Sequence, residues 1–366
     1  MAKIGIDVRL WGTQHAGIGR YTEELVRNLQ EVDTSNDYVL FCRKKDLDDI
    51  PTKQNWKKVV ADIQHYTLAE QFVLPGIFSK ENLDLLHVPH FNAPIFYGGK
   101  FVVTIHDVLW HNIQGFGVTT LPAPLYAIKY LGYRLIVRAA ISRAAKILVP
   151  SKTIKNEVVS RFGVPVSKVA VSYEGAPTLS KPGRKDAGEP YILYVGSLYP
   201  HKNVESVVRS LKVTKSPQKL VIVCGRSVFW GKFKRFIKQE NAESFVKLVG
   251  HVSDKELSRL YKNAEAFIFP TLSEGFGLPG LEAMAAGTPV VCSDIPVLRE
   301  IYGDAALYFK PKDEGDIADK INMILTDGNL SRGLVNKGQR RVKRYSWHKM
   351  AEKTLRVYND ALPNGR

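Results

Sequence analysis

Between residues 270 and 287 the chain reads Pro-Thr-Leu-Ser-Glu-Gly-Phe-Gly-Leu-Pro-Gly-Leu-Glu-Ala-Met-Ala-Ala-Gly, with Glu274 and Glu282 eight positions apart around a glycine-rich turn. An apolar run ends near Pro270, and proline at 279 suits the first turn of a helix. The passage therefore reads as strand, turn and short helix. Such a turn aims unpaired backbone amides and a positive helix end at one point, where anions bind. Amides suit phosphate oxygens and carboxylates accept hydrogen bonds from sugar hydroxyls. A nucleotide sugar carries both groups. Residues 275–280 also match the Gly-x-Gly-x-x-Gly pattern of dinucleotide sites, with Asp294 ending the next strand roughly where the ribose-binding acid belongs. Against that second reading, four residues including Glu274 separate strand and first glycine, and Gly287-Thr288-Pro289 cuts the helix short.

Three other turns could meet a ligand. Tyr194-Val-Gly-Ser-Leu-Tyr-Pro-His-Lys202-Asn203 follows a strand, and a lysine at the helix entrance is placed to neutralise a diphosphate. Gly12 to Tyr21 links the opening strand to a helix expected near Tyr21 to Leu29, and Gly17 and Gly19 there allow close backbone approach. His106-Asp107 ends the strand Phe101 to Ile105, either as a functional histidine or as a hydrogen-bonded structural turn. Asp46 and Asp48 have the spacing of a metal pair but sit in a charged connection without other ligands, so no metal is expected. No Gly-x-Ser-x-Gly elbow and no activated cysteine is present, which excludes the common nucleophilic triads.

The elements that must position these turns follow from the apolar pattern. Short β-branched runs (Ile4–Val8, Tyr38–Cys42, Leu85–Val88, Phe101–Ile105, Ile147–Val149, then Tyr191–Val195, Leu220–Cys224, Val246–Val249, Ala266–Phe269, Val290–Cys292) alternate with helical patterns. Several are continuously apolar, as strands buried on both faces of a parallel sheet are. The chain reads as two successive α/β units. Between Gly175 and Pro190 the pattern lapses into helix and strand breakers, which marks a boundary. Beyond a strand around Leu307 the chain reads as helix, with Ser346 capping a last segment from Trp347.

With 366 residues and 45% hydrophobic content the chain has material for two cores. Its 52 basic and 36 acidic residues give +16, which attracts nucleic acid, anionic lipid or phosphorylated small molecules. Two segments concentrate that charge: Lys129, Arg134, Arg138, Arg143 and Lys146 without an acid between Leu125 and Lys146, and six basic residues without an acid from Arg332 to Arg344. In the first, Arg134 and Arg138 share a helical stripe while Lys129 points nearly opposite, so it does not form a clean interfacial helix. No apolar stretch is long enough to span a membrane and no signal core opens the chain. The odd, scattered cysteines Cys42, Cys224 and Cys292 fit a reducing cytoplasm.

The segment Glu274 to Glu282, followed by Ala-Met-Ala-Ala-Gly-Thr-Pro-Val-Val, resembles the signature of the retaining glycosyltransferases of family 4. The likeness extends to Gly-Ile-Gly-Arg-Tyr, His106-Asp107, Val149-Pro150-Ser151, Tyr173-Glu174-Gly175, Lys202-Asn203 and Ser346-Trp347. It implies an α/β chain of the GT-B fold, two Rossmann-like domains with parallel sheets facing across a cleft. Its domains would be an acceptor domain over 1–175, a linker over 176–190, a nucleotide-sugar domain over 191–345, and a terminal helix over 346–366 packing back on the first domain. It implies that Glu282 accepts the ribose hydroxyls, that Glu274 and the amides of Phe276, Gly277 and Leu278 hold the sugar and phosphates, and that Lys202 stabilises the diphosphate. Gly17 would approach that diphosphate, and His106 would sit beside the reacting carbon. Ser197 stands where many members carry an arginine, with Arg226 or His201 as available substitutes. No metal or cofactor is implied, since the nucleotide sugar is a substrate. The likeness is greatest to bacterial mannosyltransferases of polysaccharide assembly, which implies GDP-mannose as donor, with UDP-sugars next, and a glycan or lipid-linked acceptor. The excess charge then fits a lipid phosphate or an anionic membrane surface, at the inner face of which a cytoplasmic protein would lie peripherally. The readings from other classes are a nicotinamide-dependent oxidoreductase on Gly275 to Gly280 with Asp294, and a nucleic-acid binder, for which no recognition module is present.

Overall fold

The structure, a computed structural model, describes residues 1–109, 122–177, 188–212, 218–225 and 227–362. Contacts divide the chain into two units. Among the described residues, unit 1 comprises those of 1–108, 122–175 and 346–362, and unit 2 comprises Leu109 and those of 176–345. Most of the expected linker, residues 178–187, lies outside the described residues.

Unit 1 is built on a seven-stranded sheet of β1 (Lys3–Asp7), β2 (Asp37–Cys42), β3 (Trp56–Val60), β4 (Leu85–Val88), β5 (Phe101–Thr104), β6 (Lys146–Val149) and β7 (Val169–Val171). Its order is β3-β2-β1-β4-β5-β6-β7 and every pairing is parallel. Parallel sheets are covered on both faces, which is why β4 and β5 are buried at every position. The unit holds helices α1 (Ala16–Val32), α2 (Leu68–Phe72), α3 (Leu74–Ser79), α4 (Ala123–Arg143) and α5 (Lys152–Phe162).

Unit 2 repeats the plan with six strands: β8 (Tyr191–Val195), β9 (Lys219–Val223), β10 (Val246–Val249), β11 (Ala266–Phe269), β12 (Val290–Ser293) and β13 (Ala306–Phe309). They run parallel in the order β10-β9-β8-β11-β12-β13. Its helices are α6 (Val204–Lys212), α7 (Trp230–Gln239), α8 (Asp254–Asn263), α9 (Leu278–Ala286), α10 (Pro296–Tyr302), α11 (Glu314–Thr326) and α12 (Gly328–Val342). Each sheet reverses direction once, between β1 and β4 and between β8 and β11. Open α/β sheets take ligands outside the carboxyl ends of strands at such a switch point.

The last helix, α13 (Trp347–Ala361), belongs to unit 1. The Ser346 hydroxyl caps it by accepting from the Lys349 amide, and its fully buried Tyr358 meets His87 Nδ1 at 2.6 Å. A Cβ on Gly175 would lie 2.3 Å from the Trp347 side chain, so that glycine admits the helix.

Three local expectations change. Helix α1 starts at Ala16 and not near Tyr21, so Gly17 and Gly19 lie in its first turn. Gly19 is needed there because a Cβ would come within 1.9 Å of the Gly12 carbonyl oxygen. Helix α4 buries Val137, Ala140 and Ile141 but turns Leu125, Ile128, Leu131 and Leu135 outward, so it carries a second apolar face that the positions of its cations alone did not reveal. Part of the basic run of α12 is structural, since Arg341 donates to the Ile301 carbonyl at 2.7 Å and Lys337 pairs with Asp304 at 3.1 Å. Among the described residues no helix is long and apolar enough to cross a membrane.

Candidate functional site

In unit 2 the two strands that flank the switch point deliver the expected residues. After β8 a single 3-10 turn over Pro200–Lys202 ends at Asn203, whose left-handed φ of 57° asparagine tolerates. After β11 the chain passes Thr271 and Glu274 to Gly277, whose φ is 96° and which precedes α9. The two loops are tied together, since the His201 carbonyl accepts from the Leu272 amide at 2.8 Å. Across this tie the Lys202 ammonium donates to the Glu274 carboxylate, with both side chains largely buried. The sequence expectation gave these two groups separate partners on a ligand, whereas here each neutralises the other.

The glycine turn has a physical cause. The Tyr302 hydroxyl, fully buried, donates to the Gly277 carbonyl, and a Cβ would lie 2.5 Å from it at Gly277 and 2.3 Å at Gly280. Only glycine fits at either position, and the first turn of α9 thereby presents backbone amides at the strand end. Phe276 supports the turn from below, buried edge-on against Tyr345 at 5.3 Å. Glu282, farther along α9, accepts from the Tyr261 hydroxyl at 3.0 Å. At Ser197 it is the backbone that is engaged, its carbonyl accepting from the Tyr194 hydroxyl at 2.7 Å. Arg226 lies outside the described residues. His201 does not replace the missing cation: burial, and then its neighbour Lys202, push its imidazole down to about 3, so it is uncharged near neutrality.

This arrangement overturns the dinucleotide reading. A dinucleotide fingerprint belongs in the turn after the first strand of its sheet unit. Here the glycine pattern follows β11, the fourth strand of unit 2, and Asp294 is held bidentately by Arg299 at 2.7 Å. A cavity of about 250 Å³ lined by Glu265, Gly287, Pro289 and Arg332 lies at the opposite, amino-terminal ends of β11 and β12, away from this chemistry.

In unit 1 the turn after β1 brings Gly17 into α1 with open space around its α-carbon. His106 follows β5, one strand beyond the switch. Its Nε2 donates to the Pro89 carbonyl at 3.1 Å and its Nδ1 faces Glu174 Oε1 at 3.1 Å, while its ring packs edge-on against Tyr21 at 4.6 Å. A carbonyl only accepts, so Nε2 carries the donated proton, and the contact at Nδ1 requires a second proton on ring or carboxyl. The ring is fixed as a donor and is not presented as a base. Glu174 stood among the residues of the family likeness without a role, and the structure makes it the partner of His106. Gly17 and His106 belong to unit 1 and the remaining described site residues to unit 2.

Sequence reasoning missed a further group. At the switch point of unit 1 the buried Arg9 guanidinium binds Asp7 at 2.8 and 2.7 Å and Glu70 at 2.7 Å. An acid and a base two positions apart at a strand end was the available signal. Burial works against the Asp7 carboxylate, yet Arg9 holds it below the usual range; Glu70 is raised by its burial.

Two doubly wound parallel sheets in succession, each with candidate site residues at its switch point, define the two-domain architecture of the GT-B glycosyltransferases. The chain belongs to glycosyltransferase family 4: residues 15–178 match the model described as Glycosyltransferase Family 4 and residues 176–341 the one described as Glycosyl transferases group 1. It is 31% identical to the O-antigen chain mannosyltransferase RfbU of Salmonella typhimurium over 237 residues, 64% of this chain and 62% of that protein. Over 381 residues, 93% of this chain and 95% of the relative, it is 27% identical to the O-antigen chain mannosyltransferase B of Escherichia coli. An uncharacterized glycosyltransferase of Methanocaldococcus jannaschii is 31% identical over 78% of each chain. In fold it is similar to the Anabaena protein HepE solved with UDP-glucose, at a TM-score of 0.76 and 16% identity over 98% of this chain and all of that one.

Proposed function

We propose that this glycosyltransferase moves mannose from GDP-mannose to a glycan or lipid-linked acceptor with retention of configuration and without a metal. The observation that carries the reading is the Lys202–Glu274 pair beside the amide-presenting turn at the switch point of unit 2. On donor entry the pair is exchanged: the ammonium turns to the diphosphate and the carboxylate to sugar hydroxyls. The amides of Phe276, Gly277 and Leu278 hold phosphate and sugar oxygens, and Glu282 takes the ribose. The bond between the anomeric carbon and the diphosphate breaks, the acceptor oxygen forms its bond on the same face, and the departing diphosphate takes the acceptor proton. Fixed donors aimed at the charge growing on the leaving group lower that barrier, and His106, held by Pro89 and Glu174, packs its ring beside the sugar.

Mannose is supported by the O-antigen mannosyltransferases among the relatives, while HepE, solved with UDP-glucose, favours a UDP-sugar as the second reading. A membrane setting is supported by α4, whose outward Leu125, Ile128, Leu131 and Leu135 are flanked by Lys129, Arg134 and Arg138 with no acid on the helix. Apolar side chains enter the interface while the cations meet anionic headgroups. Thermal-shift titration with GDP-mannose, UDP-glucose, ADP-glucose and NAD tests the donor. GDP-mannose at a hundred times its dissociation constant should add about 2.7 kcal/mol of stability, and the absence of a shift with every nucleotide sugar contradicts the reading.

A further inference from the structure

Four non-glycine residues in the described chain have a positive φ, and three of them, Asn82, Asn203 and Asn241, are asparagines that tolerate it. The fourth is Tyr66, at 63°, a bulky side chain for which this backbone is an outlier. Tyr66 nevertheless stands 64% exposed.

The buried ion network of unit 1 explains how it is held. Glu70 accepts from the Tyr66 amide at 2.8 Å and from the Asn92 side-chain amide, while Arg9, pinned to β1 through Asp7, donates to the Ile63 carbonyl at 3.0 Å. Three ionised or ionisable side chains are thus withdrawn from water to fix the segment 63–66, whose one exposed aromatic is Tyr66. Its hydroxyl lies 3.4 Å from Nε2 of the buried His90, its ring 6.2 Å from that of His65 and 6.3 Å from that of Phe91. His90 Nδ1 is buried and has no hydrogen-bond partner. Conformational strain maintained by a dedicated network marks a functional position.

The place is as specific as the strain. Arg9 follows β1 and His90 follows β4, the two strands that flank the switch point of unit 1. His90 also adjoins Pro89, whose carbonyl is held by His106. We propose that Tyr66, backed by His65 and His90, is the platform for a pyranose ring of the acceptor. A pyranose has an apolar C–H face that suits an aromatic ring, and a rim of hydroxyls that imidazole nitrogens and a phenol bind as neutral partners. A charged donor would not find the Arg9 guanidinium free, since two carboxylates hold it. The inference rests on the glycosyltransferase reading, for which it names the sugar-binding half in unit 1.

Saturation-transfer NMR with methyl α-D-mannopyranoside as the probe, without lipid, tests it on the full chain. Wild type should transfer saturation to the ring C–H protons, Tyr66→Trp should retain the signal, and Tyr66→Asn should reduce it at least fivefold. Because asparagine relieves the backbone, Tyr66→Asn should melt at or above the wild-type temperature, and its affinity for GDP-mannose should stay within twofold. A merely structural tyrosine would lower the melting temperature and leave the mannoside signal unchanged, which overturns the proposal, as does the absence of any mannoside signal with wild type. Loss of vesicle binding alone in Tyr66→Asn assigns the ring to the membrane face and also overturns it. Failure of wild type to bind GDP-mannose while the Tyr66-dependent mannoside signal persists would instead sink the donor reading.

Discussion

Units 1 and 2 use one topology, a parallel sheet that reverses between its first and fourth strands, yet they arm that position with opposite chemistry. Unit 2 places a lysine, a carboxylate and a glycine turn there. Unit 1 places a closed ion network, imidazoles and aromatic rings. The contrast continues on the surface: among the described residues the exposed large apolar side chains fall in unit 1, Val228 and Met323 excepted. Topology fixes where a ligand binds, and side chains decide which. A diphosphate sugar needs donors and a cation, whereas a glycan or lipid-borne acceptor needs neutral partners and apolar surface.

The largest test of this contrast is removal of the charged pair. Lys202→Ala should lower turnover at least about a hundredfold, the usual effect of losing one positioned donor, and Glu274→Gln should lower it as well, each with the chain still folded by circular dichroism. Because Glu274 neutralises Lys202 in the structure, Glu274→Gln should also tighten GDP binding. Equal GDP affinity by calorimetry would mean that Lys202 does not face the diphosphate.

Glycines sharpen the comparison next. Gly280→Ala in unit 2 drives a Cβ onto the buried Tyr302 hydroxyl and should cost about 1–3 kcal/mol of stability by denaturant melts. Gly17→Ala in unit 1 meets open space and should leave stability unchanged or raised, as alanine favours helix, while kcat/KM falls if the diphosphate approaches there. Intact kcat/KM would remove Gly17 from the donor site.

Acid should separate the units more gently. Burial depresses His65 to about 4 and His87 to about 3 and holds His90 well below its ordinary value in unit 1, against His201 at about 3 in unit 2. Their folded values lie below the unfolded value near 6.5, so the unfolded state binds more protons as pH falls. The stability they contribute is full above that value and is lost on acidification, at up to about 1.4 kcal/mol per pH unit for each histidine. Unit 1 should therefore loosen first, read from single-tryptophan variants retaining Trp56 or Trp230. The smallest effect is expected on α4, where Arg134→Gln or Arg138→Gln should weaken binding to phosphatidylglycerol vesicles by about fivefold each.

Much of this was legible in the sequence. Strands β8 and β11 are apolar throughout, and β4 and β5 are so but for His87 and Thr104, because both sheet faces are covered, and periodicity finds such runs. The strands it missed, β3 with its Lys57-Lys58 and the three-residue β7, are the two edges of the unit 1 sheet, where one side lacks a partner and charge is tolerated. Glu274 and Lys202 were readable because each adjoins a turn of distinctive composition. Their mutual ion pair was not, because it joins loops 72 residues apart. Tyr66 gave no sign either, since its strain arises from Glu70 and Arg9, contacts that only the tertiary structure supplies.

The central claim is that unit 2 holds a nucleotide-diphosphate sugar at the switch between β8 and β11. Calorimetric titration of GDP-mannose into wild type and Lys202→Ala tests it most directly. The account predicts saturable binding by wild type and at least tenfold weaker binding by the variant; equal affinity in the two, or no binding by either, would contradict it.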